Sequence, residues 1–207
     1  MNGKTENFAK NTEEQNIENA RGEIARSTQP GSDPQVRQYG TILLGKLKES
    51  DGVEPLLLAL RDPDKKVRGQ AAKALGEIGD PSVDPLIRLL DDPDWKVRYR
   101  ATEALGITGS KRAVPFLINA LGDPKDHVRY MAAKALGETG TGSDEHVLIA
   151  RLGDENEFVR RSVASTLGKT GGPSAKEALQ HSLSSEPSEK TREAMETALR
   201  LLEKKAI

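Results

Sequence analysis

Apolar residues recur along this chain at fixed positions within a unit of about 31 residues. The unit is clearest from Asp62, where the sequence reads DPDKKVRGQAAKALGEIG, and it returns as DPDWKVRYRATEALGITG from Asp92 and as DPKDHVRYMAAKALGETG from Asp123. A looser copy, DENEFVRRSVASTLGKTG, begins at Asp154, and VRQYGTILLGKL from Val36 keeps the same order. A period of this size is typical of a solenoid, in which each repeat packs on its neighbours.

Each copy predicts an amphipathic helix with defined ends. In the copy from Asp62, apolar residues at i, i+4, i+7, i+8 and i+11 form one stripe on a helix with 3.6 residues per turn. These residues are Val67, Ala71, Ala74, Leu75 and Ile78. Asp62 is predicted to be the N-cap and Pro63 to take the first helical position. Gly76 and Gly79 are predicted to loosen and end the helix.

A second apolar run follows each predicted helix. The runs read VEPLLLAL from Val53, VDPLIRLL from Val83 and AVPFLINAL from Ala113. The i, i+3, i+4 spacing inside the second run, with a proline near its start, favours a helix over a strand. Two such helices form a hairpin that buries its apolar face only against neighbouring hairpins. The predicted fold class is therefore all-α.

The pattern DPxxxVRxxAAxALGxIG followed by VxPLIxxL resembles HEAT repeats, specifically the short variety named after phycobilisome lyases. The resemblance covers roughly residues 33 to 183. It implies an α-solenoid (superhelix) of about five to six stacked helical hairpins with terminal capping helices. It also implies a ladder between the arginine that follows each repeated valine and the loop aspartates. The arginines are Arg37, Arg68, Arg98, Arg129, Arg160 and Arg192, and the aspartates are Asp62, Asp92, Asp123 and Asp154.

We expect four segments along the chain. They are a disordered tail over residues 1–11, a capping helix and loop over residues 12–31, the repeat solenoid over residues 32–186, and a C-terminal capping helix within residues 187–207. The first capping helix is predicted to run from Thr12 to Arg26, and the last from about Glu189 to Lys205. Such atypical ends cover the open faces of the terminal repeats.

Composition narrows the classes of function. The chain has 31 basic and 32 acidic residues, and a formal net charge of −1 provides no general attraction to nucleic acid or anionic membrane. The absence of cysteine excludes disulfides, thiolate metal sites and cysteine nucleophiles. No apolar stretch approaches about 18 residues, and the polar N-terminal residues predict no secretory signal. We expect a cytoplasmic monomer that binds neither membrane nor nucleic acid.

A second stripe on each repeated helix, rotated by roughly 120° from the apolar one, varies among the copies. The resemblance to HEAT repeats implies that this stripe lines the concave face. Five of the seven aromatic residues fall on it, next to Arg and Lys, and these residue types dominate binding hot spots. We therefore predict a groove, centred on Trp95, Tyr99 and Tyr130, that binds a protein or peptide. The predicted partner-binding residues are Tyr39, Lys66, Trp95, Tyr99, Arg100, His127, Tyr130, Met131, Phe158 and Arg161.

The sequence indicates a non-enzymatic scaffold or adaptor with no catalytic residue, metal or cofactor. The three histidines, His127, His146 and His181, have no spacing that places two of them on one helical turn. None is followed by Glu, so the His-Glu pairs with which the HEAT-like deoxyhypusine hydroxylases bind iron are absent.

Two other interpretations remain open. The repeat type resembles subunits of phycobilin lyases, and an aromatic, basic groove offers Arg100 or Arg161 to the propionates of a tetrapyrrole. HEAT-like DNA glycosylases also exist. However, the predicted groove mixes basic and acidic residues, whereas neutralising a DNA backbone needs a consistently positive surface.

Overall fold

The computed structural model describes residues 18–29, 31–48, 50–139 and 145–205. The predicted tail and the first residues of the predicted N-terminal helix lie outside this part of the chain. The described helices are α1 over residues 18–27, α2 Pro34–Leu47, α3 Val53–Ala59, α4 Lys65–Ile78, α5 Asp80–Arg88, α6 Trp95–Thr108, α7 Val114–Ala120, α8 Asp126–Thr139, α9 Glu145–Ala150, α10 Glu157–Thr170, α11 Pro173–Leu183 and α12 Glu189–Lys205. The prediction of an all-α repeat fold is confirmed.

Helix lengths follow the sequence repeat. Within the described residues, α2, α4, α6, α8 and α10 each have 14 residues and alternate with shorter helices of 6 to 11 residues. This alternation is the predicted order of helical hairpins. The last helix, α12, has the predicted bounds of Glu189 and Lys205.

The chain divides into two compact units, with the boundary between Ile78 and Gly79. In the first unit, α2 and α3 both pack against α4. In the second unit, α8 packs between α6 and α10, and α10 also packs against α12. The shorter helices α7 and α11 pack on α8 and α12. Each unit is therefore a stack of helical layers in which sequence neighbours are also packing neighbours.

The predicted apolar stripe forms the core. In α4, Val67, Ala71, Ala74 and Leu75 are buried, and the small alanines permit close approach of the neighbouring helix. Ile78, at the end of the stripe, is only partly buried. The buried positions of this stripe hold aliphatic side chains. The aromatic side chains of the repeats lie at other positions.

The glycine that follows the repeated leucine lies inside the helix at Gly106 and Gly168. Gly106 lies inside α6, where a Cβ atom would stand 2.8 Å from the Cβ atom of Ala135 on α8. Gly168 in α10 faces Ala198 of α12 in the same way, with its Cβ position 2.7 Å from the alanine Cα. Each of these two glycines thus permits close contact between two helices, and the helix of the first clear copy, which was predicted to loosen at Gly76, continues to Ile78. The helix ends at the second glycine: Gly109 has a φ of 64°, in the left-handed region.

The predicted N-cap is displaced by two residues. In α6 the N-cap is Asp94, whose side chain accepts a hydrogen bond of 2.9 Å from the Lys96 amide. Before α4, Asp64 likewise accepts from the Lys66 amide. The earlier aspartate, Asp62, instead accepts from the Asp64 amide and from an arginine of the preceding repeat. The N-cap prediction for Asp62 is therefore wrong, since its carboxylate is used in the turn.

This arginine contact recurs as the predicted ladder, which we call the arginine bridge. In the first unit Arg37 makes a bidentate pair with Asp62. In the second unit the bidentate pairs are Arg98 with Asp123, Arg129 with Asp154, and Arg160 with Glu186. The last pair uses a glutamate where an aspartate stands in the other repeats. Bidentate guanidinium–carboxylate pairs fix both distance and orientation.

Each bridging arginine also holds the turn that precedes its own helix. The Nη1 atom of Arg129 donates to the carbonyl oxygens of Asp123 and Pro124, at 3.1 and 3.4 Å. Arg98 and Arg160 make the same pair of contacts with the carbonyls six and five residues before them. A single buried guanidinium thus connects the turns of two successive repeats. These pairs also raise the pKa of the three arginines, through the carboxylate hydrogen bonds.

Replacing Arg129 with alanine is expected to lower the free energy of unfolding by about 3 kcal/mol, because Asp154 would stay buried without its counter-charge. The matched control is Arg112→Ala. Arg112 pairs with Asp80 and Asp84 at the surface and is 51% exposed, so its loss is expected to cost less than about 1 kcal/mol. Urea unfolding followed by circular dichroism measures both changes. Equal losses at the two sites would contradict the role of the bridge.

Replacing Gly106 with alanine is expected to destabilise the second unit by about 2 kcal/mol, since the added methyl group overlaps Ala135. Helix propensity alone predicts the opposite sign, a gain of about 1 kcal/mol. The control is Gly22→Ala in α1, where the nearest atom to the new methyl group is Nη1 of Arg26 at 3.6 Å. That variant is expected to be neutral or stabilised. Melting temperatures that rise in both variants would disprove close packing at Gly106.

Acid is expected to weaken the arginine bridges of the second unit. The hydrogen bond from Arg160 lowers the pKa of Glu186 below its ordinary value of 4.5. Such a carboxylate contributes stability that is complete above its unfolded pKa and is lost as the pH falls through its lower folded pKa. The melting temperature should therefore hold near neutral pH and fall below about pH 4.5. Glu186→Gln should reduce this acid-dependent loss, and an unchanged pH profile in that variant would refute the linkage.

Candidate binding groove

The second unit carries a groove across α6, α8 and α10, with a cavity of about 300 Å³. We call it the aromatic groove, because aromatic rings form much of its lining. Its lining residues are Tyr99, Asp126, His127, Tyr130, Asn156, Phe158 and Arg161. Five of these were predicted from the sequence, so the structure brings together Tyr99, His127, Tyr130, Phe158 and Arg161.

The repeat itself places these side chains next to one another. Tyr99, Tyr130 and Arg161 are 31 residues apart and hold the same position in three successive helices. His127 and Phe158 have the same spacing one turn earlier. Because α8 packs between α6 and α10, equivalent positions on the three helices lie side by side. The groove is therefore a surface shared by three repeats.

Buried valines alternate with the groove residues along the helices. Val97, Val128 and Val159 stand two positions before Tyr99, Tyr130 and Arg161 and are fully or almost fully buried. Tyr99 and Tyr130 are partly buried, and the ring of Phe158 is 50% exposed. Burial, with the nearby Glu103 charge as a smaller cause, raises the pKa of Tyr99. Tyr99 is therefore a neutral hydrogen-bonding group at physiological pH.

Trp95 lies next to the groove and extends its aromatic surface. Its ring packs on the imidazole of His127, with 5.1 Å between the ring centroids and an interplanar angle of 52°. The ammonium group of Lys125 lies 5.3 Å from the centre of the indole ring, within the range of a cation–π contact. Trp95 and His127 thus support each other across the two helices.

Asp126 is held by three hydrogen bonds. Its Oδ1 atom accepts from the backbone amide and from Nδ1 of His127, each at 2.8 Å, and its Oδ2 atom accepts from Nδ2 of Asn156 at 2.6 Å. The hydrogen bond from the His127 side chain is the main cause of the lowered pKa of Asp126. This carboxylate links α8 to the turn before α10, and both of its oxygen atoms already accept hydrogen bonds from the protein.

Two arginines stack on aromatic rings of the groove region. The guanidinium carbon of Arg100 is 5.1 Å from the centre of the Tyr99 ring, and that of Arg161 is 4.9 Å from the centre of the Phe158 ring. Arg100 also forms an ion pair with Glu103 at 2.5 Å. In the part of the chain that the structure describes, Arg161 pairs with no carboxylate.

The remaining predicted residues divide into two groups. Tyr39 on α2 and Lys66 on α4 belong to the first unit, and both are exposed there. Met131 is a correction: the prediction placed it on the groove surface, but it is 4% exposed and part of the core. It follows Tyr130 directly, so the 100° turn per residue of the helix directs it towards the packed interior.

Sequence reasoning missed Asn156 as a groove residue. The signal was present, because Asn156 stands at the cap position that Asp64 and Asp94 hold in other copies. It caps α10 by accepting from the Phe158 amide, while its amide nitrogen remains free to donate to Asp126. An aspartate there would have no donor for that second bond.

Two further features of the described residues concern metal binding and membrane insertion. No group of three or more His, Asp and Glu side chains has the arrangement needed to hold a metal ion in that part of the chain. None of the described helices combines the length and the apolar character that crossing a membrane requires.

Solved structures with a similar fold include natural and designed repeat proteins. The complex of CpcE and CpcF of phycocyanin lyase from Nostoc sp. PCC7120 matches with a TM-score of 0.67 and 19% identity, covering 72% of this chain and 99% of that one. A designed armadillo repeat protein in complex with the peptide (KR)4 matches with a TM-score of 0.52 and 19% identity, covering 87% and 98%. An engineered protein matches with a TM-score of 0.55 and 20% identity, covering 89% and 97%. These similarities establish an α-solenoid fold.

No curated protein matches this chain at a significant level. The family model described as HEAT repeats does match, over residues 23–93, 83–147 and 142–200. These matches span nearly the whole chain and include both units. The repeat pattern, the paired helices and the arginine bridges all agree with this assignment. The chain therefore belongs to the HEAT repeat family.

Proposed function

We propose that this HEAT-like repeat scaffold is a non-enzymatic adaptor that binds a protein or peptide partner in the aromatic groove. The observation that carries the proposal is the row of Tyr99, Tyr130 and Phe158 along one open cavity of about 300 Å³. Aromatic side chains next to arginine are the residues that most often dominate binding energy at interfaces. The partner is proposed to meet the adaptor in the cytoplasm, and the adaptor to act as a monomer.

Preorganisation supports this function. The groove side chains sit on helices whose undersides are buried core, and arginine bridges fix the turns between those helices. Binding to such a surface costs little ordering of the receptor, since its backbone and rings are already placed. The side chains that line the groove are also open to solvent on one side, as an extended partner would require.

The volume of the cavity is compatible with the side chains of a bound peptide. A volume of about 300 Å³ is at the lower end of the range of roughly 300 to 1,000 Å³ found for small-molecule sites. It suits one or two peptide side chains. The designed armadillo repeat protein in complex with the peptide (KR)4 is a solenoid of related fold, and we extend peptide binding from it to this chain as part of the proposal.

A tetrapyrrole is the second candidate. The similarity to the phycocyanin lyase complex favours it, and Arg161 beside Phe158 offers a cation and a ring face to a propionate-bearing bilin. The small cavity gives it less support than a peptide. Nucleic acid has less support still, because Asp126 and Glu103 lie among the basic residues and a phosphate backbone needs a more uniformly positive surface.

The test uses a random linear peptide library displayed on phage, selected against the whole protein. Peptides recovered on the wild type are expected to lose at least about tenfold in affinity with Tyr99→Ala or Tyr130→Ala, a typical hot-spot effect of about 1.4 kcal/mol or more. Fluorescence anisotropy with a labelled selected peptide measures the change.

The matched control is Phe116→Ala on α7, an aromatic residue that is 42% exposed and is not among the residues lining the groove. It is expected to bind like the wild type. Helicity and melting temperature of every variant identify any loss of binding caused by unfolding. If no peptide distinguishes the tyrosine variants from the wild type and Phe116→Ala, the proposal fails, and bilin binding followed by visible absorbance becomes the next test.

A further inference from the structure

We propose that the occupant of the aromatic groove is an acidic peptide segment, whose aspartate or glutamate pairs with Arg161 beside an apolar or aromatic side chain held by the groove. The inference rests on the proposed function and names the chemistry of the partner. Its basis is a second cavity that adjoins the first and is positively charged.

The second cavity has a volume of about 260 Å³ and lies between α8 and α10. It is lined by Tyr130, Lys134, Glu138, Arg161, Ser162, Ser165, Thr166 and Lys169. We call it the cationic subsite. It shares Tyr130 and Arg161 with the aromatic groove, so the two cavities are continuous at these side chains. A short segment that fills one therefore reaches the other.

The side chains that line the subsite carry an excess of positive charge. Lys134, Arg161 and Lys169 provide three positive charges against the single negative charge of Glu138, which leaves a net charge of +2. The one ion pair among them, between Lys169 and Glu138, is long at 3.6 Å, and both side chains are about half exposed. Such a pair is weak and does not prevent Lys169 from meeting another anion.

Arg161 is available to a partner from both cavities. Its neighbour Arg160 is committed to Glu186, and Arg100 is committed to Glu103. Among the described residues no carboxylate contacts Arg161. Asp126, the acidic residue of the adjoining groove, already accepts three hydrogen bonds from His127 and Asn156. The groove therefore contains an arginine that its own acidic residue does not neutralise.

The guanidinium group of Arg161 complements a carboxylate in hydrogen-bond geometry as well as in charge. Its guanidinium carbon lies 4.9 Å from the centre of the Phe158 ring, a cation–π contact that places the group beside the groove. The guanidinium presents its N–H donors in a planar fork. A planar carboxylate accepts two parallel hydrogen bonds from such a fork. The subsite hydroxyls of Ser162 and Thr166 donate inward to the Tyr130 and Ala133 carbonyls, so the cations are its main contacts for a partner.

The experiment starts from the phage-displayed library of random peptides selected on the wild-type protein. Recovered sequences are expected to be enriched in Asp or Glu near an aromatic or large apolar residue. The best peptide is then made with its Glu or Asp, and again with the corresponding Gln or Asn. Both versions are titrated against the wild type and Arg161→Gln.

The carboxylate peptide should lose at least about tenfold in affinity with Arg161→Gln, as expected for a charge-assisted hydrogen bond. The amide peptide should bind more weakly than the carboxylate peptide and should not distinguish the two proteins. Arg161→Lys should give an intermediate affinity, since it keeps the charge and loses the fork. Arg112→Gln, a second arginine of the same unit at the surface, is the control and should bind like the wild type.

The outcomes separate the two proposals. Selected peptides that are neutral or basic, or that need Tyr130 and ignore Arg161, overturn the acidic partner and leave the groove in place. A phosphoserine peptide that binds where its glutamate counterpart does not also overturns the carboxylate proposal. A selection that recovers no peptide dependent on Tyr99 or Tyr130 ends both proposals. Equal melting temperatures of Arg161→Gln and the wild type exclude unfolding as the cause of lost binding.

Discussion

The arginine bridge is the interaction on which the rest of the fold depends. Packing of small apolar side chains brings successive helices together, but apolar contacts are non-directional. The bidentate pair between Arg129 and Asp154 is directional, because it fixes distance and angle together. Since the same guanidinium also binds two carbonyl groups of its own turn, each bridge sets the register of two successive repeats.

That register determines the binding surface directly. Arg98 immediately precedes Tyr99, Arg129 precedes Tyr130, and Arg160 precedes Arg161. One residue of each pair points into the bridge, and the next, rotated by about 100° on the helix, reaches the groove. The glycine–alanine contacts, such as Gly106 with Ala135, keep the helices close enough for these side chains to share one cavity. Within one repeat, the bridging arginine and the residue that follows it thus serve the fold and the candidate binding surface, respectively.

The sequence predicted what the repeat determines and missed what depends on individual contacts. Helix order and the buried stripe from Val67 were predictable, because each recurs in several copies, and the bridge was implied by the resemblance to HEAT repeats. The prediction placed Met131 in the groove, because a single copy of the repeat does not show whether a position at the edge of the apolar stripe is buried. Asp62 was misread as a cap, since a carboxylate before a proline fits a cap and a turn equally well. The role of Asn156 depends on the hydrogen bond that its side chain donates to Asp126 of the preceding repeat, which the repeat pattern alone does not predict.

We propose that a partner occupies the surface shared by α6, α8 and α10. Backbone amide chemical shifts can be followed by NMR while a selected acidic peptide is added to the protein. We expect the largest changes at Tyr99, Tyr130, Phe158 and Arg161, with the first unit unaffected. Changes centred instead on Val36, Leu43 and Leu47, the exposed apolar residues of α2, would contradict it.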